Sequence, residues 1–211
     1  MECCGKQIWT NLTKDTLHKL GIDPPDEAKY RAVKARWDAI AKPLDGMGRF
    51  EEITAQIGAV TGDETLDLSR KAVLIFCADN GIVAEGVSQS GQEVTLAVAQ
   101  SMAKKNSSVG RMASCIGADT IPVDIGINSD ARVDGVLNRK IARGTHDFLL
   151  QPAMSEMETL CAIETGMDLV AKCKEDGYRI LATGEMGIGN TTTSSAVAAA
   201  LLGCESALVV G

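Results

Sequence analysis

Aromatic residues are scarce in this chain: two Trp, two Tyr and three Phe make up 3% of its 211 residues. With 45% of residues hydrophobic, the core must be aliphatic and rich in methionine. Histidine is rarer still, with only His18 and His146 available to serve as a base. A cysteine–histidine nucleophile therefore has little to draw on, and His146, after a glycine turn, reads as a loop residue. Basic residues are outnumbered, 21 Lys and Arg against 28 Asp and Glu, for a formal charge of −7. That balance argues against binding a nucleic-acid backbone. No stretch approaches the roughly eighteen consecutive apolar residues of a membrane span. Met1-Glu2-Cys3-Cys4 lacks the basic and apolar regions of a signal peptide, so a cytoplasmic location is expected. The seven cysteines (Cys3, Cys4, Cys77, Cys115, Cys161, Cys173 and Cys204) are odd in number and contain no Cys-x-x-Cys spacing. This disfavours a disulfide framework or zinc site and leaves ordinary buried thiols.

What is present is the alternation of an α/β enzyme. The length suits a large domain that buries about 70% of its unfolded surface. Residues 1–60 read as a helical segment of a small domain, and 61–211 as an α/β nucleotide-binding domain. Asp23-Pro24-Pro25-Asp26 is a turn and cap opening a helix to about Ile40. Lys42-Pro43 stops it, and another helix starts near Arg49 after a flexible turn. From Lys71 onward, apolar strands are expected at Ala72–Cys77, Asp119–Ile125, Arg179–Thr183 and Ala207–Val210. Helices are expected at Glu93–Lys104, Met154–Glu175 and Ser194–Leu202. The order predicts a parallel sheet with helices on both faces, a Rossmann-like three-layer fold. Ligands in such sheets sit beyond the carboxyl ends of the strands, where Asp79, Asp124 and Glu185 fall.

The most informative stretch is Gly184-Glu185-Met186-Gly187-Ile188-Gly189-Asn190-Thr191-Thr192, a glycine-rich turn between strand and helix. Such a turn lets backbone approach a ligand, and free helix N–H groups favour a phosphate. Asn190 stands where a P-loop has its lysine, which disfavours a nucleoside triphosphatase. Gly187-x-Gly189-x-x-Thr192 lacks the third glycine of a dinucleotide fingerprint. Glu185 is the unusual member. A carboxylate repels phosphate unless it holds a proton or a cationic base; the plainer reading is an acid placed at a helix N-terminus.

At these residues the chain resembles the nicotinate-nucleotide–dimethylbenzimidazole phosphoribosyltransferases of cobalamin biosynthesis. Lys42-Pro43-Leu44-Asp45-Gly46-Met47-Gly48-Arg49-Phe50-Glu51 is similar to the family's Lys-Pro-x-Gly-Ser-Leu-Gly-x-Leu-Glu segment. Cys77-Ala78-Asp79-Asn80-Gly81, running on to Ser88, is similar to its Ala-Asp-His-Gly region. Arg143-Gly144-Thr145, Pro152-Ala153-Met154-Ser155 and the Gly184 stretch follow in the family's order, so the likeness covers about residues 31 to 211. It implies transfer of phosphoribose from nicotinate mononucleotide to 5,6-dimethylbenzimidazole, giving α-ribazole 5′-phosphate and nicotinate. It further implies a homodimer, small-molecule substrates, and neither cofactor nor metal. On this resemblance Glu185 is the catalytic candidate, while Gly187, Asn190 and Thr191 line the nucleotide and Ser90 lies near the benzimidazole.

The chain departs from the family where Asn80 replaces a histidine, Gly91 a common proline and Val98 a glutamine of the base wall. Its end at Val210-Gly211 reads as the exposed edge of a last strand. The family's following block, with a phosphate-contacting lysine and the glutamate assigned as general base, lies outside this sequence. The chain therefore reads as the first half to two thirds of such an enzyme, and a non-catalytic nucleotide- or base-binding module is the second reading. Three acids on one rim suggest a divalent metal as a rival, though each also suits a turn or cap. The paired acids and Thr-Thr-Gly turn of diphosphate-dependent phosphoribosyltransferases are missing.

Overall fold

The computed structural model describes residues 12–210 together with the backbone of 2–3 and 6–7. Glu2–Cys3 (β1) and Lys6–Gln7 (β2) pair antiparallel, and Lys14–His18 (α1) is a single short helix. The side chains of Cys3 and Cys4 lie outside the described residues. The chain divides into two compact units: Asp15–Ser69, and Arg70 onward together with the segment before Asp15. Among the described residues no helix is long and apolar enough to cross a membrane.

The first unit is a helix pair, Glu27–Asp38 (α2) and Arg49–Thr61 (α3). Asp26 caps α2 as its sequence suggests, its carboxylate accepting the N–H of Ala28 and Lys29 at 2.8 and 3.1 Å. Gly58 lets the helices close on each other, because a Cβ there would lie 2.6 Å from Val33 Cγ2. Trp37 meets Phe50 edge to face, with centroids 5.8 Å apart, and donates its indole N–H to Thr54 Oγ1 at 2.7 Å.

The two ends of the Lys42–Glu51 segment meet in space. Glu51 is fully buried, with Lys42 Nζ at 2.7 Å and Lys34 Nζ at 3.3 Å, and accepts Met47 N–H at 3.0 Å. The Lys42 ammonium first, then the Met47 N–H and Lys34, hold its carboxyl down to about 2 from an ordinary 4.5. A depressed folded value means that Glu51's contribution is full above pH 4.5 and is lost as pH falls toward 2. Acid unfolding followed by circular dichroism should therefore steepen across that window. Glu51→Gln should be less stable at pH 7 and show a flatter profile between those two values, and an unchanged profile would contradict this account.

The second unit is built on four parallel strands: Lys71–Ala78 (β3), Asp119–Gly126 (β4), Leu137–Asn138 (β5) and Ile180–Met186 (β6). Between β3 and β4 run Glu93–Ala103 (α4) and Ser108–Cys115 (α5). Glu156–Glu175 (α6) precedes β6, and Asn190–Leu202 (α7) follows it. β3 is a continuous apolar run because both its faces are covered. Ile75 and Cys77 pack with Ala99 and Met102 of α4 and with Ile127. On the other face, Ala78 and Ala162 of α6 line a common cavity. Ser155 and Glu158 form a capping box that starts α6. The thiols of Cys77, Cys161 and Cys173 are buried as expected, whereas Cys115 is exposed.

The strand order β5-β4-β3-β6 places β4 on one side of β3 and β6 on the other. This is the 3-2-1-4 order of a Rossmann-like sheet, with its reversal between β3 and β6. The crevice beyond their carboxyl ends is where such a sheet receives a ligand.

Two expectations are corrected. β6 does not end at Thr183: Gly184 and Glu185 are strand residues, paired with Ile75 and Phe76. The ladder continues because β3 itself runs on to Ala78. Ala207–Val210 is not a strand, since Ser206–Leu208 forms a single helical turn. Among the described residues no strand pairs with that segment. Its N–H groups turn back on Glu205 and Ser206, and Ser195 Oγ donates to Val209 O at 3.1 Å. α7, which begins four residues earlier than the pattern suggested, has no buried residue, and Leu201 is 82% exposed.

Candidate active site

The β3–β6 crevice is formed by close backbone approach. Gly187 is buried, and a Cβ there would stand 2.1 Å from Ala78 O and 2.9 Å from Asn80 Nδ2. Gly189 adopts φ +85°, the left-handed region that favours glycine, with space for a Cβ closed off by Val83 Cγ2 at 2.9 Å. Between them Ile188 is held at both backbone groups. Its N–H donates to Thr95 Oγ1 at 3.2 Å, and its carbonyl accepts Asn80 Nδ2 at 3.0 Å.

Glu185, at the end of β6, is exposed, and its Oε1 accepts Asn190 Nδ2 at 2.6 Å. Asn190 Oδ1 in turn accepts Thr191 N–H at 2.9 Å, and Asn190 N–H bonds Gly187 O at 3.0 Å. The asparagine therefore links the carboxylate to the first turn of α7. It also occupies two of the N–H groups that the sequence suggested were free for an anion. No Lys or Arg occurs between Ile180 and Gly211, so within that stretch the helix end is the main attraction for an anion.

Of the five residues singled out from sequence, Glu185, Gly187, Asn190 and Thr191 come together here. Ser90 stands on the segment before α4, exposed, its N–H bonded to Ser88 Oγ at 3.1 Å, and it shares no hydrogen bond with the other four. Sequence reasoning missed Thr95, whose only signal is a polar side chain on the buried face of an apolar helix. It also missed Thr193, and it treated Asn80 as a turn residue.

The three acids of the rim are spent separately. Asp79, 1% exposed, takes Asn128 N–H on Oδ2 at 2.7 Å. Asp124 pairs with Lys140 at 2.9 Å and accepts Ile127 N–H at 2.9 Å. Glu185 holds Asn190. Among the described residues no three His, Cys, Asp or Glu side chains are grouped to hold a metal ion. Burial first, and then Asp124, push the Cys77 thiol up to about 12, so it is no nucleophile near neutral pH.

The remaining motifs converge on the opposite face of β3. Arg143, Thr145, Ala153 and Met154 line a cavity of about 300 Å³ beside Ala78 and α6. Gly81 lets this loop approach, its Cα hydrogen side facing the His146–Asp147 peptide, where a Cβ would lie 2.4 Å from His146 C. His146 is an exposed loop residue whose N–H bonds Ala153 O at 2.9 Å.

The same chain order and geometry occur in known proteins. A phosphoribosyltransferase family profile matches residues 22–211. Nicotinate-nucleotide–dimethylbenzimidazole phosphoribosyltransferase of Clostridium perfringens is 43% identical over 191 residues, which is 90% of this chain and 53% of that protein. The Clostridium tetani enzyme of the same name is 40% identical over 204 residues, 97% of this chain and 56% of its own length. The crystal structure of the Thermus thermophilus enzyme superposes with a TM-score of 0.82 at 33% identity, covering 88% of this chain and 57% of that one. The chain thus spans about half the length of these relatives. With profile, sequence identity and superposition in agreement, the chain belongs to the nicotinate-nucleotide–dimethylbenzimidazole phosphoribosyltransferase family.

Proposed function

We propose that the protein transfers the phosphoribosyl group of nicotinate mononucleotide to 5,6-dimethylbenzimidazole, releasing nicotinate and forming α-ribazole 5′-phosphate. The observation that carries this reading is the Glu185–Asn190 pair beside the glycine turn, at the strand-order reversal of the sheet. In the transfer, the bond from ribose carbon to the nicotinate nitrogen breaks and a bond to a benzimidazole nitrogen forms, with inversion at that carbon. The ribosyl centre passes through an oxocarbenium-like state. An exposed carboxylate at the end of β6 serves both electrostatic stabilisation of that cation and removal of the benzimidazole N–H proton.

Gly187, Asn190 and Thr191 are assigned to the phosphate and ribose, with the N-terminus of α7 supplying the favourable potential. Reception of the phosphate requires Thr191 N–H to exchange its bond from Asn190 Oδ1 to the ligand. Ser90 is assigned to the benzimidazole side. The sheet unit carries nucleotide binding, and the helical segment serves as a small accessory domain. The protein acts in the cytoplasm as a homodimer on small molecules and needs no cofactor.

The phosphate assignment has a direct test in thermal unfolding with two ligands. Nicotinate mononucleotide at a hundredfold excess over its Kd should stabilise the fold by about 2.7 kcal/mol. The riboside lacking the phosphate should do so far less. Equal stabilisation by both would contradict an anchor at residues 187–191.

A further inference from the structure

Asn80 joins the two segments assigned to the two substrates. Its side-chain amide donates to Ile188 O at 3.0 Å and accepts Thr193 Oγ1 at 3.0 Å, so it spans the turn that opens α7. Its own carbonyl accepts Gln92 Nε2 at 3.1 Å, from the segment that carries Ser90. Gln92 Oε1 then accepts Asn128 Nδ2 at 3.1 Å, and Asn128 N–H bonds Asp79 Oδ2 at 2.7 Å. Asp79 precedes Asn80 in the chain, so the circuit closes.

Gln92 stands at the N-cap of α4, yet its side chain makes no cap bond. Residues at that position ordinarily serve the helix's own N–H groups. This glutamine instead reaches across to the end of β3. One turn further along the same helix, the fully buried Thr95 accepts Ile188 N–H. The first turn of α4 therefore grips the glycine turn through two routes, one direct and one through Asn80. Both amides use donor and acceptor in fixed directions, so a carboxylate at either position removes one named bond and keeps the other.

We infer that Asn80 and Gln92 are positioning residues that couple the 88–92 segment to the 187–193 turn, so that order imposed on one is felt by the other. Resting on the substrate assignment above, this makes binding of the two substrates mutually reinforcing. Coupling of this kind is reciprocal, and a factor on the order of five- to tenfold is expected.

The test uses two readouts on the whole chain with Gln92→Glu, which loses the donor to Asn80 O but retains the acceptor for Asn128. Amide hydrogen exchange without ligand comes first. Exchange at Ile188–Thr193, across the crevice from the substitution, should accelerate at least fivefold, about the minimum coupling factor. Ile75 and Cys77 should be unchanged. Acceleration confined to residues near 92 overturns the coupling, and Asn80→Asp, which loses only the bond to Ile188 O, provides an independent check from the other side. The second readout is the Kd for 5,6-dimethylbenzimidazole with and without nicotinate mononucleotide. The nucleotide should tighten it in the native protein and by a clearly smaller factor in Gln92→Glu, which keeps only the direct Thr95 route. Equal tightening in both proteins overturns the inference. If neither substrate binds while the exchange effect appears, the substrate assignment fails and the coupling of segments stands.

Discussion

Gly187→Ala should cost about 3 kcal/mol of stability and abolish stabilisation by nicotinate mononucleotide. The added Cβ would lie 2.1 Å from Ala78 O, far inside contact distance. That carbonyl belongs to the end of β3, where Asp79 N–H is bonded to Gly126 O at 3.0 Å and Asp79 O accepts Thr145 N–H at 3.0 Å. Strand and loop are thus tied on both sides, so the turn must move instead. Moving it breaks the two bonds that hold Ile188 and displaces Asn190 and Thr191 from Glu185. Gly203→Ala is the control. Gly203, unlike Gly187, has a positive φ, +62°, but open space where a Cβ would lie, and it sits at the far end of α7. Its cost should be roughly 1 kcal/mol, from backbone conformation alone, with the nucleotide effect kept. Urea unfolding with and without nucleotide separates the two. Equal behaviour of both variants would show that close approach at Gly187 has no special role.

Glu185→Gln should lower kcat by on the order of 10²- to 10⁴-fold while leaving the affinity for nicotinate mononucleotide within about twofold. The substitution is close to isosteric. A glutamine carbonyl oxygen accepts the Asn190 amide as the carboxylate does, so Asn190 keeps its second bond to Thr191 N–H. Geometry at the phosphate is preserved while charge and basicity are removed. A kcat loss at unchanged affinity is the signature of a group that acts only in the transition state. If affinity improves as activity falls, Glu185 also repels the phosphate, as its bond to Asn190 in the first turn of α7 suggests. Undiminished turnover would remove it from the chemistry.

The elements visible in the sequence are those whose pattern is local. β3 is a buried parallel strand because Ala72–Cys77 is apolar without interruption, and α6 begins where Ser155 and Glu158 form a box readable as letters. Asp26 announces α2 in the same way. Errors arose where the outcome depends on a partner distant in sequence. Gly184 reads as a turn by itself, and only the ladder to Ile75 keeps it extended. Ala207–Val210 is as apolar as a strand, but its N–H groups bond the carbonyls of Glu205 and Ser206 and not a neighbouring strand. The eight-residue α5 and the two-residue β5 are too short for their patterns to stand out.

The candidate site divides along the same line. Glu185, Gly187, Asn190 and Thr191 lie within seven residues, and their clustering follows from adjacency. Asn80, Thr95 and Gln92 enter through hydrogen bonds that cross 93 or more residues to the turn, or 12 between Asn80 and Gln92. Such links leave no mark in a single sequence. The Lys42–Glu51 motif shows the converse: its residues were recognised, but their burial as an ion-paired anchor became visible only in the fold.

Phosphoribosyl transfer is proposed for the crevice between β3 and β6, with Glu185 at its edge. Its most direct test is nicotinate release from nicotinate mononucleotide in the presence of 5,6-dimethylbenzimidazole, with the product identified by mass. The account predicts α-ribazole 5′-phosphate in equal amount to nicotinate, and loss of both in Glu185→Gln. Absence of product from the native protein, with no stabilisation by the nucleotide, would contradict it.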